Sequence, residues 1–512
     1  MSGPEVRLAL WALVEERAAK TPEALFAVDE RDRALSFAGY RDAALRAAAG
    51  LHDLGIREGT AVSWQLATRL EALVLVAALA RLGALQNPIL PFLREREVGF
   101  IVRQSRARLL FVPETFRGFA HGEMARALER EIPGLAAHVV GSALPEGEPR
   151  MLPPLPAPGK VRWIFYSSGT TADPKGARHT DTSVGLAGNA MAERLEAGPG
   201  DRNALVFPFT HIGGVAWLFA GLRAGFAQIL VEVFDAKATP DTLARHGATL
   251  AGAGTVFHQA YLAAQRERSG AALLPAVRAF PGGGAPKPPG LHAEMKAAFG
   301  GAGIVAGYGL TEYPIATMGS PSDPDARLAG SEGRATRHTE IRVVRGDGSL
   351  AAAGEEGEIR LRGPHLFRGY VDPLLDADAF DEHGFLRSGD LGRLDAEGYL
   401  VVTGRLKDVI IRKGENISAK EIEDQLAAHA KVRDVAVVGL PDPERGERAC
   451  AFVVPADPGA PPTLAELAAF LRTAGLAAQK IPEQLEVVAE LPRNAAGKVL
   501  KRELRMGTVL RN

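Results

Sequence analysis

The sequence predicts an α/β protein: a large N-terminal domain (1–406) with two mainly parallel, helix-flanked sheets plus a small antiparallel β module, followed by a small mobile α+β C-terminal domain (407–512). Three observations predict it. Up to about residue 335, helical periods alternate with short apolar runs ended by Gly or Pro, the pattern of parallel sheets covered by helices. Beyond that point the strands become two-faced and are joined by Asp-Gly or Glu-Gly turns. After Arg405 a fresh set of strands and helices begins, enough for a compact domain of about a hundred residues.

Each element follows from its residues. "LALWALVEERAAK" near the start carries acidic residues through its apolar stretch, so it reads as an amphipathic helix and not as a signal peptide. "LEALVLVAALARLGA" (70–84) reads as an apolar helix closed by Gly83. "RLLFVP" (108–113), "VRWIFYSS" (161–168), "NALVFP" (203–208) and "QILVEVF" (228–234) read as buried strands, and "PEGEPRMLPPLPAPG" (145–159) as a Pro-rich connector. "TEIRVVRGDGSL", "GEIRLRG" and "GYLVVTGR" form the antiparallel module. The last domain takes "DVII", the helix "AKEIEDQLAAHA", "DVAVVGL", "CAFVVP" and the helix "TLAELAAFLRTAG".

Composition bounds the function. The 512 residues exceed what one hydrophobic core usually serves. With 60 basic against 61 acidic residues the chain has no global field to draw in nucleic acid or anionic lipid. The single cysteine, Cys450, excludes an internal disulfide framework and a Cys-rich zinc site. No run approaches the roughly 18 apolar residues of a membrane span. The expected setting is cytoplasmic, with no nucleic-acid partner, and the reading leaves room for a homodimer.

"SSGTTADPKG" (167–176) follows the strand candidate 161–168 and is rich in backbone NH donors and hydroxyls, with one fixed cation, Lys175. These are the ingredients of a phosphate cradle. It is not a Walker loop, because Lys175 precedes Gly176 and Ala177 follows where Ser or Thr is needed. By itself the stretch reads equally well as a surface turn. Further blocks follow: "FPFTHIGG" (207–214), "PGGGAP" (281–286), "GYGLTE" (307–312), "RSGDLGRLDAEGYLVVTGRLKD" (387–408), "IRKGENISAKEIE" (411–423) and "PRNAAGKVLKREL" (492–504).

In this order, along nearly the whole chain, the blocks resemble the adenylate-forming superfamily of acyl-CoA synthetases, peptide-synthetase adenylation domains and beetle luciferases. The resemblance implies a carboxylic acid–CoA ligase using ATP, Mg²⁺ and coenzyme A: carboxylate and ATP give an acyl adenylate and pyrophosphate, then the thiol displaces AMP. It implies that Ser167, Ser168, Gly169, Thr170, Thr171 and Lys175 wrap the β- and γ-phosphates. Thr311 is implied at the α-phosphate, Glu312 at the Mg²⁺, and Tyr308 against adenine, with Gly283, Gly284 and Gly309 also in the nucleotide site. Asp390 is implied as acceptor of both ribose hydroxyls, supported by Arg405. Lys498 is implied to reach the carboxylate and α-phosphate during adenylation, and then to leave as the C-terminal domain turns about a hinge at Lys407. After that rotation Gly414 leaves room for the pantetheine arm. Taken singly, Asp390 is also a turn residue, Thr311–Glu312 also a helix start, and Lys498 also a solvated charge on a tail.

His211 stands where amino-acid-adenylating members carry an Asp, and no carboxylate lies near it in sequence to pair with a buried ammonium. An amine-free acid follows, with His211 at the pocket edge, gating acid or thiol; the same residue also reads as a structural His at a strand end. The small residues Gly213, Gly214, Ala306 and Gly307 suggest a roomy acyl pocket, hence a medium-chain fatty, alicyclic, aryl or steroid-side-chain acid. The chain stops soon after Lys498, which favours free CoA over a fused carrier domain. The alternatives are an adenylating enzyme that loads a separate carrier protein and a non-catalytic acyl-ligand sensor. Two departures from the family pattern stand near the loop: Ala172 replaces a usual Gly, and Asp181 a frequent His.

Overall fold

The structure is a computed structural model and describes residues 8–167, 174–268, 272–284, 287–288, 290–412, 415–442, 446–493 and 497–509. Strands β1 (Leu25–Asp29) and β2 (Ala34–Ser36) form an antiparallel pair. A six-stranded sheet follows, built from β3 (Ala61–Trp64), β4 (Leu85–Pro88), β5 (Leu109–Val112), β6 (Ala136–Val139), β7 (Val161–Ser167) and β8 (Lys175–Thr180). Its order is β6-β5-β3-β4-β7-β8, parallel throughout except for the β7–β8 pair. Strands β9 (Arg202–Leu205) and β10 (Ala227–Leu230) add in parallel to β1, giving the order β2-β1-β10-β9.

A third sheet takes β11 (Phe280–Gly283), β12 (Ile304–Leu310), β13 (Tyr313–Met318) and β14 (Arg334–Ala335) in sequence order. Leu250 makes single parallel bridges to Asn203 and Ala279, which join this sheet to the previous one. The antiparallel module predicted after residue 335 is β15 (Glu340–Val344), β16 (Gly357–Arg362), β17 (Leu386–Leu394) and β18 (Leu400–Arg405). The last sheet takes β19 (Val409–Arg412), β20 (Glu415–Ser418), β21 (Val432–Asp442), β22 (Gly446–Pro455) and β23 (Gln484–Val487). Its order is β20-β19-β22-β21, with β23 parallel to β22.

The helix Leu70–Leu82 is apolar all round because nearly every residue in it is buried, and Gly83 (φ 68°) ends it in the left-handed conformation that favours glycine. Helices Asp181–Arg194 and Ile212–Ala224 cross so closely that a Cβ on Gly188 would lie 2.6 Å from the Ala216 carbonyl oxygen. The last sheet and its helices Ala419–Leu426 and Leu464–Thr473 enclose a separate core that includes Ile410, Ile422, Val437 and Leu471. This part docks on the rest through Ser418, whose hydroxyl donates to the Thr403 carbonyl at 3.1 Å. The connector 145–159 lies against the helix Phe37–Asp53, with the Gly147 N–H donating to the Arg46 carbonyl at 3.0 Å. The run at 228–234 is a strand only to Leu230; beyond it Glu232 turns to Arg31, 3.7 Å away, and Val233 is exposed.

Candidate active site

Thr311 and Glu312 occupy the tight turn between β12 and β13, not a helix start. A Cβ on Gly309 would collide with the Pro314 carbonyl, so this hairpin needs glycine there. The turn is held from behind by His179 of β8, whose ring Nε2 donates to the Thr311 carbonyl at 2.9 Å. Burial drives the His179 pKa down to about 4, so the ring is neutral near pH 7. Glu312 is buried, and its Oε1 accepts the Tyr370 hydroxyl at 2.7 Å. Lys175, the first residue of β8, sets its ammonium 5.7 Å from the centre of the Tyr370 ring. Neither His179 nor Tyr370 was singled out from sequence.

Asp390 on β17 stands opposite Arg405 on β18 in the strand register. Arg405 Nε lies 2.9 Å from Asp390 Oδ1, and the Tyr308 hydroxyl donates to Oδ2 at 2.8 Å. Tyr308 is buried, and desolvation together with the Asp390 charge raises its phenol pKa well above the usual value, so it stays a donor. The Ser388 hydroxyl accepts the Asp390 N–H at 3.0 Å and fixes the bend before the carboxylate.

Lys498 comes to this same place from the far end of the chain. Burial, reinforced by Arg405 and opposed by Asp390, lowers its ammonium pKa to about 8. Its neighbour Gly497 is buried with φ 80°, and a Cβ there would lie 2.6 Å from Cγ2 of Val256, at the start of the helix Thr255–Arg266. Arg493 closes the turn from the other side: it donates to the Gly497 carbonyl at 2.5 Å and pairs with both oxygens of Asp434 at 2.7 and 2.9 Å. Lys407, two residues after Arg405, is exposed, and desolvation together with the nearby Arg405 charge lowers its pKa as well. Tyr308, Asp390, Arg405, Lys407 and Lys498 are thereby brought together; Glu312 and Lys175 meet at Tyr370. Ser167 ends β7 opposite Lys175. Ser168, Gly169, Thr170, Thr171, Ala172 and Gly414 lie outside the described residues.

His211 caps the helix Ile212–Ala224, its Nδ1 accepting the Gly213 N–H at 3.1 Å. The residue is exposed at the surface, and desolvation by the surrounding protein lowers its pKa to about 4. With Nδ1 accepting, Nε2 carries the proton.

The volume argument drawn from small residues does not hold. A Cβ on Gly214 would strike the Phe209 backbone at 2.6 Å, and one on Gly307 would meet Ile315 at 2.9 Å and the Thr317 carbonyl at 3.0 Å. Ala306 is buried. Gly214 and Gly307 are small because other protein atoms press on them, and at Gly213 the contacts are longer, with His211 Nδ1 at 3.2 Å and Phe207 at 3.7 Å from a Cβ placed there. Gly283 and Gly284 likewise differ: a Cβ on the first would lie 2.6 Å from the Gly307 carbonyl, whereas the second faces open space with φ 77°. Asp181 is a structural group. It accepts Trp163 Nε1 at 2.7 Å and the Leu10 N–H at 2.9 Å, and burial raises its pKa.

Among the described residues no group of three or more His, Cys, Asp or Glu could hold a metal by itself, and no helix is long and apolar enough to cross a membrane. The two-part α/β fold, with mixed parallel sheets and a small antiparallel one, is that of an adenylate-forming enzyme. Residues 14–371 match the AMP-binding enzyme family and residues 421–498 the AMP-binding enzyme C-terminal domain, and the chain belongs to that family. It is 31% identical over 506 residues to a medium-chain fatty-acid–CoA ligase of Escherichia coli, covering 96% of this chain and 89% of the relative. It is 33% identical over 512 residues to a salicyl-AMP ligase/salicyl-S-ArCP synthetase of Mycobacterium tuberculosis, with the same coverage of 96% and 89%. The o-succinylbenzoate coenzyme A synthetase of Bacillus subtilis, in complex with ATP and magnesium ion, superimposes with a TM-score of 0.82 at 27% identity, covering 96% of this chain and 98% of that one.

Proposed function

We propose that this protein is an ATP-dependent ligase that activates an amine-free carboxylic acid as its acyl adenylate and transfers the acyl group to coenzyme A. The carrying observation is the Asp390–Arg405 pair with Lys498 beside it: a ribose-binding carboxylate and a mobile cation meet where two anions, carboxylate and α-phosphate, must be brought together. Asp390 presents a carboxylate, already oriented by Tyr308 and Arg405, to the two ribose hydroxyls. Lys175 makes no hydrogen bond or ion pair among the described residues, which leaves its ammonium available to the β- and γ-phosphates.

The donors fit Mg²⁺. Glu312 Oε2 has no hydrogen-bond partner among the described residues, and one carboxylate oxygen completed by substrate phosphates and water is the set this ion takes. When bound, Mg²⁺ offsets the triphosphate charge. Thr311 serves the α-phosphate from the turn that His179 anchors. His211, neutral with Nδ1 occupied by the Gly213 N–H, keeps Nε2–H and serves as a hydrogen-bond donor at the acid and not as a base. The adenylation arrangement is the one with Gly497 against Val256; a turn about Lys407, from residues 1–406 to 407–512, withdraws Lys498 and brings Gly414 inward for the thiol.

Pyrophosphate release with ATP across a panel of carboxylic acids, with CoA and separately with a phosphopantetheinyl carrier protein, tests this reading. Acid-dependent pyrophosphate and a CoA thioester are expected. A thioester only on the carrier selects carrier loading, and no adenylation with any acid selects a ligand sensor.

A further inference from the structure

We propose that Tyr370 is a positioning residue that sets the Glu312 carboxylate and the Lys175 ammonium in one geometry, so that a single side chain aligns the metal-binding and phosphate-binding groups. This rests on the roles given above to those two residues. The Tyr370 hydroxyl donates to Glu312 Oε1 at 2.7 Å, which fixes the carboxylate and leaves Oε2 without a hydrogen-bond partner among the described residues. The face of the same ring lies 5.7 Å from Lys175 Nζ, inside the roughly 6 Å reach of a cation–π contact.

The backbone around Tyr370 is built to hold it. Phe367 N–H donates to the Glu312 carbonyl at 2.9 Å, so the segment is tied to the β12–β13 turn. Arg368 N–H donates to the Arg178 carbonyl at 2.7 Å, Arg178 N–H to the Gly369 carbonyl at 3.0 Å, and Val371 N–H to the Gly176 carbonyl at 2.8 Å. The segment is thus tied equally to β8, with Ala177 and Tyr370 facing each other in an antiparallel bridge. Asp376 Oδ1 accepts the Tyr370 N–H at 2.8 Å. Residues 367–371 therefore form a strut between the strand that starts at Lys175 and the turn that carries Glu312. Burial, and then the Glu312 charge, push the Tyr370 phenol pKa up, so it keeps the proton it donates.

ATP binding followed by calorimetry at stepped Mg²⁺ concentrations tests the proposal on wild type, Tyr370→Phe, Tyr370→Leu, Glu312→Gln and the Glu312→Gln/Tyr370→Phe double variant. The Mg²⁺ midpoint is a concentration and does not depend on the fraction of each sample that is folded. Tyr370→Phe keeps the ring and removes one hydrogen bond to a charged group, so the midpoint should rise about tenfold while Mg²⁺-free ATP affinity stays as in wild type. Tyr370→Leu should also weaken Mg²⁺-free ATP binding about threefold through loss of the ring beneath Lys175. On Glu312→Gln, Tyr370→Phe should add no further shift. A Tyr370→Phe shift of equal size with and without Mg²⁺, or one undiminished on Glu312→Gln, would overturn the proposal. A Glu312→Gln midpoint equal to wild type would overturn the metal role of Glu312 itself, and this proposal with it.

Discussion

Replacing Gly497 with Ala tests the docking of Lys498 most directly. Two penalties follow from the geometry. At φ 80° an L-residue is strained by about 1–2 kcal/mol, near tenfold in an equilibrium, and this strain belongs to the turn alone. The new Cβ also lies 2.6 Å from Val256 Cγ2, about 1 Å short of an ordinary carbon contact of about 3.5–4.0 Å. That collision exists only when the C-terminal part sits in this arrangement. Relieving it displaces Lys498 by a distance on the order of 1 Å, and such misplacements cost about 10²-fold in rate. Adenylation, followed by acid-dependent ATP–pyrophosphate exchange, should fall about 10²-fold or more, while thioester formation from presynthesised acyl adenylate stays near wild type. Val256→Ala removes Cγ2 and should bring adenylation by Gly497→Ala back toward wild type, the φ strain remaining as a loss of stability common to both arrangements. Equal loss in both half-reactions, or no rescue by Val256→Ala, would refute the reasoning.

Lowered to about 8, the Lys498 pKa places a falling limb on adenylation: the ammonium is complete below that pH and is lost as pH rises through it. Pyrophosphate exchange against pH should show this limb in wild type and a flat line there in Lys498→Arg, because guanidinium does not titrate in this range. Gly283→Ala and Gly284→Ala should differ in urea midpoint, the first losing about 1–3 kcal/mol against the Gly307 carbonyl and the second about 1 kcal/mol of φ strain alone. The reverse order would contradict the packing described. The buried His179, His258 and His365 each have pKa values lowered to about 4 by burial, against about 6.5 unfolded. Stability should be full above about pH 6.5 and decline as pH falls toward 4, since only the unfolded chain takes up these protons. Calorimetry at pH 5 in buffers of different ionisation enthalpy should show that net uptake on unfolding.

Much of this architecture was legible because it is written locally. The helix Leu70–Leu82 and its Gly83 cap, and the two-faced strands β15, β16 and β18, follow from periodicity and turn chemistry. Asp390, Arg405, Glu312 and Lys498 are singled out in the sequence by short motifs. His179 and Tyr370 were not, because their roles arise from long-range pairing: His179 meets a carbonyl 132 residues away, and Tyr370 a carboxylate 58 residues away. The glycines misled for a related reason. A missing side chain reads as empty space in sequence, but whether it lines a cleft or admits a neighbouring backbone depends on atoms from other elements, as Gly214 and Gly307 show. The run at 228–234 overshot its strand because an apolar stretch looks alike whether Val233 is inside or out.

The cross-strand placement of Asp390 and Arg405 has a mechanical consequence. The chain leaves β18 at Arg405 and reaches Lys407 within two residues, so the guanidinium that pairs with Asp390 lies two residues from the proposed hinge. On the function proposed above, turning the C-terminal part at that point would move the partner of the Asp390 carboxylate and so couple release of AMP to the domain movement.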